Sequence, residues 1–178
     1  MRARHWNKIL IGLTLAAPVP YVAYAEIYLT EQQAANILFP GVVLKSSWID
    51  LTSDEIKAIQ KNSGERVLTP HVRTWWGPNH EVVIIDRVLG KHEYITYAVA
   101  ISAEGEVKGV EIIEYRETYG GEIREVGWRK KFVGKTLRDP LKIDKDIPNI
   151  SGATLSSVHI TNGVRRLLHT YEILKTKI

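Results

Sequence analysis

Tyr94-Ile95-Thr96-Tyr97-Ala98-Val99-Ala100-Ile101-Ser102-Ala103-Glu104-Gly105-Glu106-Val107-Lys108-Gly109-Val110-Glu111-Ile112-Ile113-Glu114-Tyr115 reads as two strands and a turn. Both arms are rich in Val, Ile and Tyr, which suit a pleated, half-buried surface. Ser102 to Glu106 is a turn, so the arms are expected to pair as a hairpin. Val82 to Val88 has the same character, and the pattern is strand-like from Val67 to Tyr115.

Helical signals flank this region. Leu29 to Leu38 reads as a short helix with Thr30 as N-cap and Pro40-Gly41 at its exit. Thr52 and Glu55 have capping-box spacing, Ile56 and Ile59 supply a buried stripe, and Gly64 follows the end. Tyr119 to Ile147 is charged and irregular, with one helical turn around Ile123 to Phe132. The chain then closes in a helix from about Leu155 to Lys175. Its apolar stripe is Ile160, Val164, Leu167, Leu168, Tyr171 and Leu174; Arg165, Arg166 and Glu172 lie away from it. Helices, then strands, then a helix imply one α+β domain with a central antiparallel sheet flanked by helices. There is no internal repeat or low-complexity segment.

The first 25 residues stand apart. Arg2, Arg4 and Lys8 precede an apolar run from Ile9 to Val19, and Ala23-Tyr24-Ala25 fits a small-x-small cleavage site before Glu26. This is the layout of a secretory signal peptide, with residues 26–178 as the mature domain. An uncleaved anchor helix is the alternative, but Pro18, Pro20 and the short run argue against a full span. Cleavage removes three positive charges and takes the net charge from +4 to +1, so no nucleic-acid partner is expected. The chain has no cysteine. That excludes a disulfide framework, a thiolate-ligated iron–sulfur cluster and haem attached through Cys-x-x-Cys-His.

Ser151-Gly152-Ala153-Thr154-Leu155-Ser156-Ser157 stands at the mouth of the last helix. Gly152 and Ala153 are small enough to let another molecule approach the backbone. The first N–H groups of a helix lack internal partners and favour negative charge. A phosphate at Thr154 would meet them, with Ser151, Ser156 and Ser157 adding hydroxyl donors. The same residues would equally serve as nothing more than a helix cap.

Ser-Gly-Ala-Thr-Leu-Ser-Ser before a C-terminal amphipathic helix resembles the flavin attachment motif of the FMN-binding domain family. That family includes the extracytoplasmic FMN subunits of the sodium-pumping NADH:quinone reductase and the Rnf electron-transport complex. The resemblance extends to Tyr28-Leu29-Thr30-Glu31-Gln32-Gln33-Ala34 with Phe39-Pro40-Gly41, and to Trp128, Phe132, Gly134 and Lys135. Glu117-Thr118-Tyr119-Gly120-Gly121 is similar to the family's Glu-Thr-Pro-Gly loop near the flavin. The resemblance implies FMN joined through its phosphate to Thr154 by a flavin transferase that uses FAD. It also implies cofactor contacts from residues 151–157 and 117–121, and redox protein partners or a membrane electron-transport complex. Pro148 stands where many members carry an Asp six residues before the threonine, Asp146 being the nearest acid, and Tyr119 replaces the loop proline.

Other groups carry less. Trp75-Trp76-Gly77 is a candidate wall for a flavin pocket or a piece of ordinary core. Trp128-Arg129-Lys130-Lys131-Phe132 is expected as a solvated helix face, with docking to an acidic partner as the functional alternative. His71, His80 and His92 form no metal-ligand pair, and no catalytic elbow, P-loop or dinucleotide fingerprint is present. The expectation is an extracytoplasmic electron-transfer flavoprotein more than a stand-alone enzyme. A noncovalent FMN module, a small-molecule flavin reductase and a structural protein with an empty site are the alternatives.

Overall fold

The computed structural model describes residues 26–117 and 119–178. The expected export segment, residues 1–25, and Thr118 lie outside the described residues. The strands are β1 (Glu26–Ile27), β2 (Lys45–Asp50), β3 (His71–Trp76), β4 (Val82–Leu89), β5 (Tyr94–Ile101) and β6 (Val107–Tyr115). The helices are α1 (Glu31–Leu38), α2 (Ser53–Ser63), α3 (Val126–Arg129) and α4 (Thr154–Leu174), with 3-10 turns at Gly121–Arg124 and Lys130–Phe132. All six strands form one antiparallel sheet in the order β1-β6-β5-β4-β3-β2. This is the expected α+β class.

The β5–β6 hairpin forms where the sequence places it. Ile101 pairs with Val107, the Ser102 N–H donates to the Glu106 carbonyl at 2.9 Å, and Gly105 turns the chain at φ +81°. Strand alternation then sends side chains to two cores. Ile95, Tyr97, Val99 and Ile101 of β5 join a core with α4 and α2 residues such as Ile160, Leu168 and Ile59. Ala98 and Ala100 face the other way, into a smaller core with Ala34 and Ala35 of α1. Each fully buried Ile or Leu contributes about 1.5–3 kcal/mol. α4 packs closely on the sheet because residue 163 is glycine. A Cβ there would collide with Tyr97 Oη.

Capping chemistry fixes the smaller helices. Thr30 with Gln33 and Thr52 with Glu55 form reciprocal capping boxes, and Gly64 ends α2 in the left-handed region at φ +74°. β2 has no counterpart in the sequence reading. It is an edge strand whose residues are almost all exposed, so it shows little apolar alternation. β1 spans two residues and is too short to leave a pattern.

Two expectations are corrected. Arg166, off the apolar stripe of α4, is buried at 6% exposure, where its Nη2 donates to Asp86 Oδ2 and its Nη1 to the Arg66 carbonyl. Arg165 is half-buried and donates to the carbonyls of Ser63 and Leu141, both at 3.0 Å. α4 is thus covered on more sides than its stripe implied. The stretch Trp128 to Phe132 is not a solvated face. Trp128 and Phe132 are buried edge-to-face at 5.1 Å, and Arg129 pairs with Glu111 and donates to the Val110 carbonyl. Only Lys130 and Lys131 remain exposed there.

Candidate functional site

The site is built from the first turn of α4 upward. Ala153 is the N-cap, and it makes no side-chain capping bond. Thr154 is therefore the first helical residue and its exposed hydroxyl does not cap the helix. Among the described residues the N–H groups of Thr154, Leu155 and Ser156 reach no acceptor. No side chain of the motif makes a capping bond, and the cap position itself is held by Ala153. Three N–H groups without acceptors among the described residues and the Thr154 hydroxyl share the first turn, at the end of the helix where the dipole favours an anion.

The other motif residues divide by burial. Ser151, Gly152 and Leu155 are exposed, and Gly152 holds φ +88° with open space where a Cβ would stand. Ala153, Ser156 and Ser157 are buried. Ser157 Oγ lies 3.0 Å from Asn149 Oδ1 and from the Thr154 carbonyl, so it braces the turn from inside. Ser156 Oγ lies 3.4 Å from Tyr115 Oη.

The loop after β6 comes to this turn because Tyr115, at the end of the strand, bridges the two. Its phenol donates to the Tyr119 carbonyl and faces Ser156. Burial raises the Tyr115 phenol above its ordinary value, with Glu117 and Glu122 adding to the shift against the Ser156 hydrogen bond. The phenol stays protonated and keeps its donor. Gly120, at φ +92°, is pressed into the junction. A Cβ there would meet Tyr115 Oη at 2.6 Å and Ala153 Cβ at 3.3 Å, whereas one on Gly121 would meet nothing. Tyr119 is 84% exposed, its ring free to meet another molecule.

Glu117 points elsewhere. Its carboxylate accepts the N–H groups of His92 at 2.6 Å and Glu93 at 3.1 Å. Burial works against the charged form, yet these donors, with Lys91, hold the carboxyl below its ordinary value. Glu117 therefore pins the β4–β5 turn beside the motif.

Two clefts open around these elements. One, of about 610 Å³, is lined by Lys91, His92, Glu117, Tyr119 and residues 152–156. The other, of about 620 Å³, is lined by residues 119–122, Arg124, Glu125 and Gly152. They meet at Tyr119 and Gly152, and each is the size of a small-molecule site. Lys91, His92 and Tyr115 are the residues that sequence reasoning missed. The available signal was register: Ile95 opposite Tyr115 places the β4–β5 turn beside the chain leaving β6.

Other sequence candidates are placed away from the clefts. Trp75 is buried near α1, and Trp76 stacks on Tyr171 at 6.3 Å, near the far end of α4. Neither is a flavin wall; both are packing residues. Trp128 Nε1 donates to the Pro148 carbonyl at 2.8 Å, anchoring the segment that leads into the motif. Asp146 accepts the N–H groups of Leu141 and Lys142 and pairs with Lys135 at 3.0 Å, so it holds its own turn. No group of three or more His, Cys, Asp or Glu among the described residues is placed to hold a metal.

The Thr154 turn has the donors an anionic group such as a phosphate needs: Thr154 is exposed, the N–H groups of the turn find no acceptor among the described residues, and Lys91 and His92 line the same cleft. Fold and site thus define an antiparallel sheet domain that presents a threonine at a helix N-terminus beside a glycine-containing loop. Residues 90–169 match the sequence model of the FMN-binding domain, which bears out the family resemblance over that segment. Over 83 residues the chain is 32% identical to a component of the Na(+)-translocating ferredoxin:NAD(+) oxidoreductase complex of Acetobacterium woodii. That match covers 42% of this chain and 40% of that protein. The crystal structure of Shewanella oneidensis NqrC shares the fold, with a TM-score of 0.55 at 15% identity, covering 79% of this chain and 88% of that one.

Proposed function

We propose that this chain is an exported electron-transfer flavoprotein that carries FMN on Thr154 through a phosphodiester. The observation that carries the reading is the Thr154 turn: an exposed hydroxyl, three N–H groups without acceptors among the described residues, and a cleft lined by Lys91 and His92. Those N–H groups and the Lys91 ammonium would neutralise the phosphate, with the His92 imidazole beside them in the same cleft. Gly120, Gly121 and the exposed Tyr119 would offer the ring a surface of backbone and aromatic face. Bound FMN supplies one- and two-electron redox chemistry, and the protein's share is to bind, orient and expose it.

For attachment, Thr154 Oγ1 bonds to the FMN phosphorus of FAD while the P–O–P bridge breaks. AMP leaves, the hydroxyl proton is released, and a flavin transferase catalyses the exchange. Electron donor and acceptor are partner proteins of a membrane electron-transport complex, which the named relative's membership of an oxidoreductase complex supports. Residues 1–25 would direct the domain across the membrane, leaving Glu26 as the first mature residue.

Intact-mass measurement on protein purified from its host tests this. The mature chain should be heavier by one FMN less one water, and Thr154→Ala should remove the increment without lowering the melting temperature. Attachment at Thr154 is falsified if the increment survives that substitution or maps to another peptide. N-terminal sequencing should read from Glu26; an intact Met1 on soluble material would sink the export claim.

A further inference from the structure

A separate cavity of about 460 Å³ lies about 18 Å along α4 from Thr154. It opens where β3 and β4 part. Their pairing ends at Arg73 opposite Ile85, while β4 continues beside β5 to Leu89. The gap is lined about equally by polar and apolar residues, the apolar ones including Val67 and Leu68 from the segment before β3, Ile84 of β4 and Leu167 of α4. At its floor the Arg166 guanidinium is already neutralised by Asp86. Around the rim, Arg73 is paired with Glu31 at 2.8 Å and His71 with Asp50 at 2.6 Å. Arg87 is different. Among the described residues it has no carboxylate partner; its guanidinium lies 4.9 Å from the centre of the Tyr94 ring, and both side chains are exposed.

We propose that this cavity is a second ligand site, taking a small amphipathic organic anion with its apolar body in the β3–β4 gap and its carboxylate or sulfonate on Arg87. The apolar residues give the body of such a molecule a seat, and the polar residues interspersed among them orient its charged end. An unpaired guanidinium beside an aromatic ring, at the rim and not the floor, sets which end stays outside. A neutral ligand of the same shape would leave Arg87 unused. The inference is independent of flavin attachment, since no cleft residue at Thr154 lines this cavity.

The test is a fluorescence titration of the full chain with 8-anilinonaphthalene-1-sulfonate, repeated with the uncharged N-phenyl-1-naphthylamine. The sulfonate should bind saturably at one site. Arg87→Glu should weaken it by about tenfold or more, as expected for a lost charged hydrogen bond. The uncharged probe should bind more weakly and ignore that substitution. Leu68→Trp, at an exposed rim position, should block both probes, and Lys91→Ala should affect neither. Because Arg87 and Leu68 are exposed, the fold should tolerate both changes. Absence of saturation, equal affinity in Leu68→Trp, or loss of binding in Lys91→Ala overturns the site. Equal binding of the two probes overturns its preference for an anion.

Discussion

The first turn of α4 and its middle both carry polar groups, and they differ in whether the protein uses them. At the middle, Arg166 is buried with donors on Asp86 and the carbonyls of Arg66 and Arg87, while Tyr97 Oη also donates to Asp86 at 3.0 Å. At the first turn, Thr154 is exposed and three consecutive N–H groups find no acceptor among the described residues. A polar group whose partners are all internal is structural. One whose donors open into a cleft is available to a ligand. Residue type alone would rank a buried arginine as the stronger functional candidate; its partners reverse that order.

The largest expected effect tests the structural half. Burial alone would lower the Arg166 pKa, but Tyr97 and Asp86 outweigh it and raise the guanidinium above its ordinary value. Arg166→Met would leave the partly buried Asp86 carboxylate without its charge partner, with the Tyr97 hydroxyl still donating to it. Breaking such a pair from one side costs about 3–5 kcal/mol. Urea unfolding should show that loss, while Thr154→Ala stays within about 0.5 kcal/mol of the parent, as surface changes do. Equal stability of the two variants would dissolve the contrast.

This contrast also marks how far the sequence could be read. The β5–β6 hairpin and α4 were legible because an apolar pattern over eight or more residues follows directly from which face is buried. The start of α4 was legible as a segment, but that Ala153 and not a hydroxyl residue stands at its cap position is a matter of backbone geometry that the sequence does not show. The burial of Arg166 was not legible because periodicity reports apolar faces and is silent on a charge whose partner lies 80 residues away. Lys91 and His92 were passed over for a related reason. Nothing in a short turn shows that antiparallel register carries it to the loop after β6.

A middle-sized effect separates two glycines that the sequence could not tell apart. Gly120 sits against Tyr115 and Ala153 at φ +92°; Gly121 faces open space. Gly120→Val would meet both the Tyr115 hydroxyl and an unfavourable left-handed backbone, costing about 1–3 kcal/mol. It should also push the loop from the Thr154 turn, shifting the absorption and midpoint potential of attached flavin without removing its mass. Gly121→Ala should leave melting and flavin spectrum close to the parent. If both variants lose stability with identical flavin spectra, the loop is only a turn and does not border the ring.

The smallest expected effect is local and depends on pH. Glu117 carries a carboxyl held below its ordinary value, by backbone donors that overcome the cost of its partial burial. The sign follows from linkage. A lowered folded-state pKa contributes stability that is complete above the unfolded value, near about pH 4.3, and is lost as pH falls through the folded value beneath it. Because the donors belong to His92 and Glu93, the loss should appear first as opening of the β4–β5 turn. Amide hydrogen exchange, corrected for the intrinsic pH dependence of exchange, should show protection of those two N–H groups falling below about pH 4. The sheet amides of β5 should remain protected over the same range. Glu117→Gln, which keeps one acceptor oxygen but no charge, should remove the pH dependence and leave weaker protection at every pH. It should also loosen Lys91 and His92 beside Thr154, lowering the fraction of chains that carry flavin without moving the attachment point. A turn equally protected in the variant and the parent across this range would mean that Glu117 does not set the wall of the phosphate cleft.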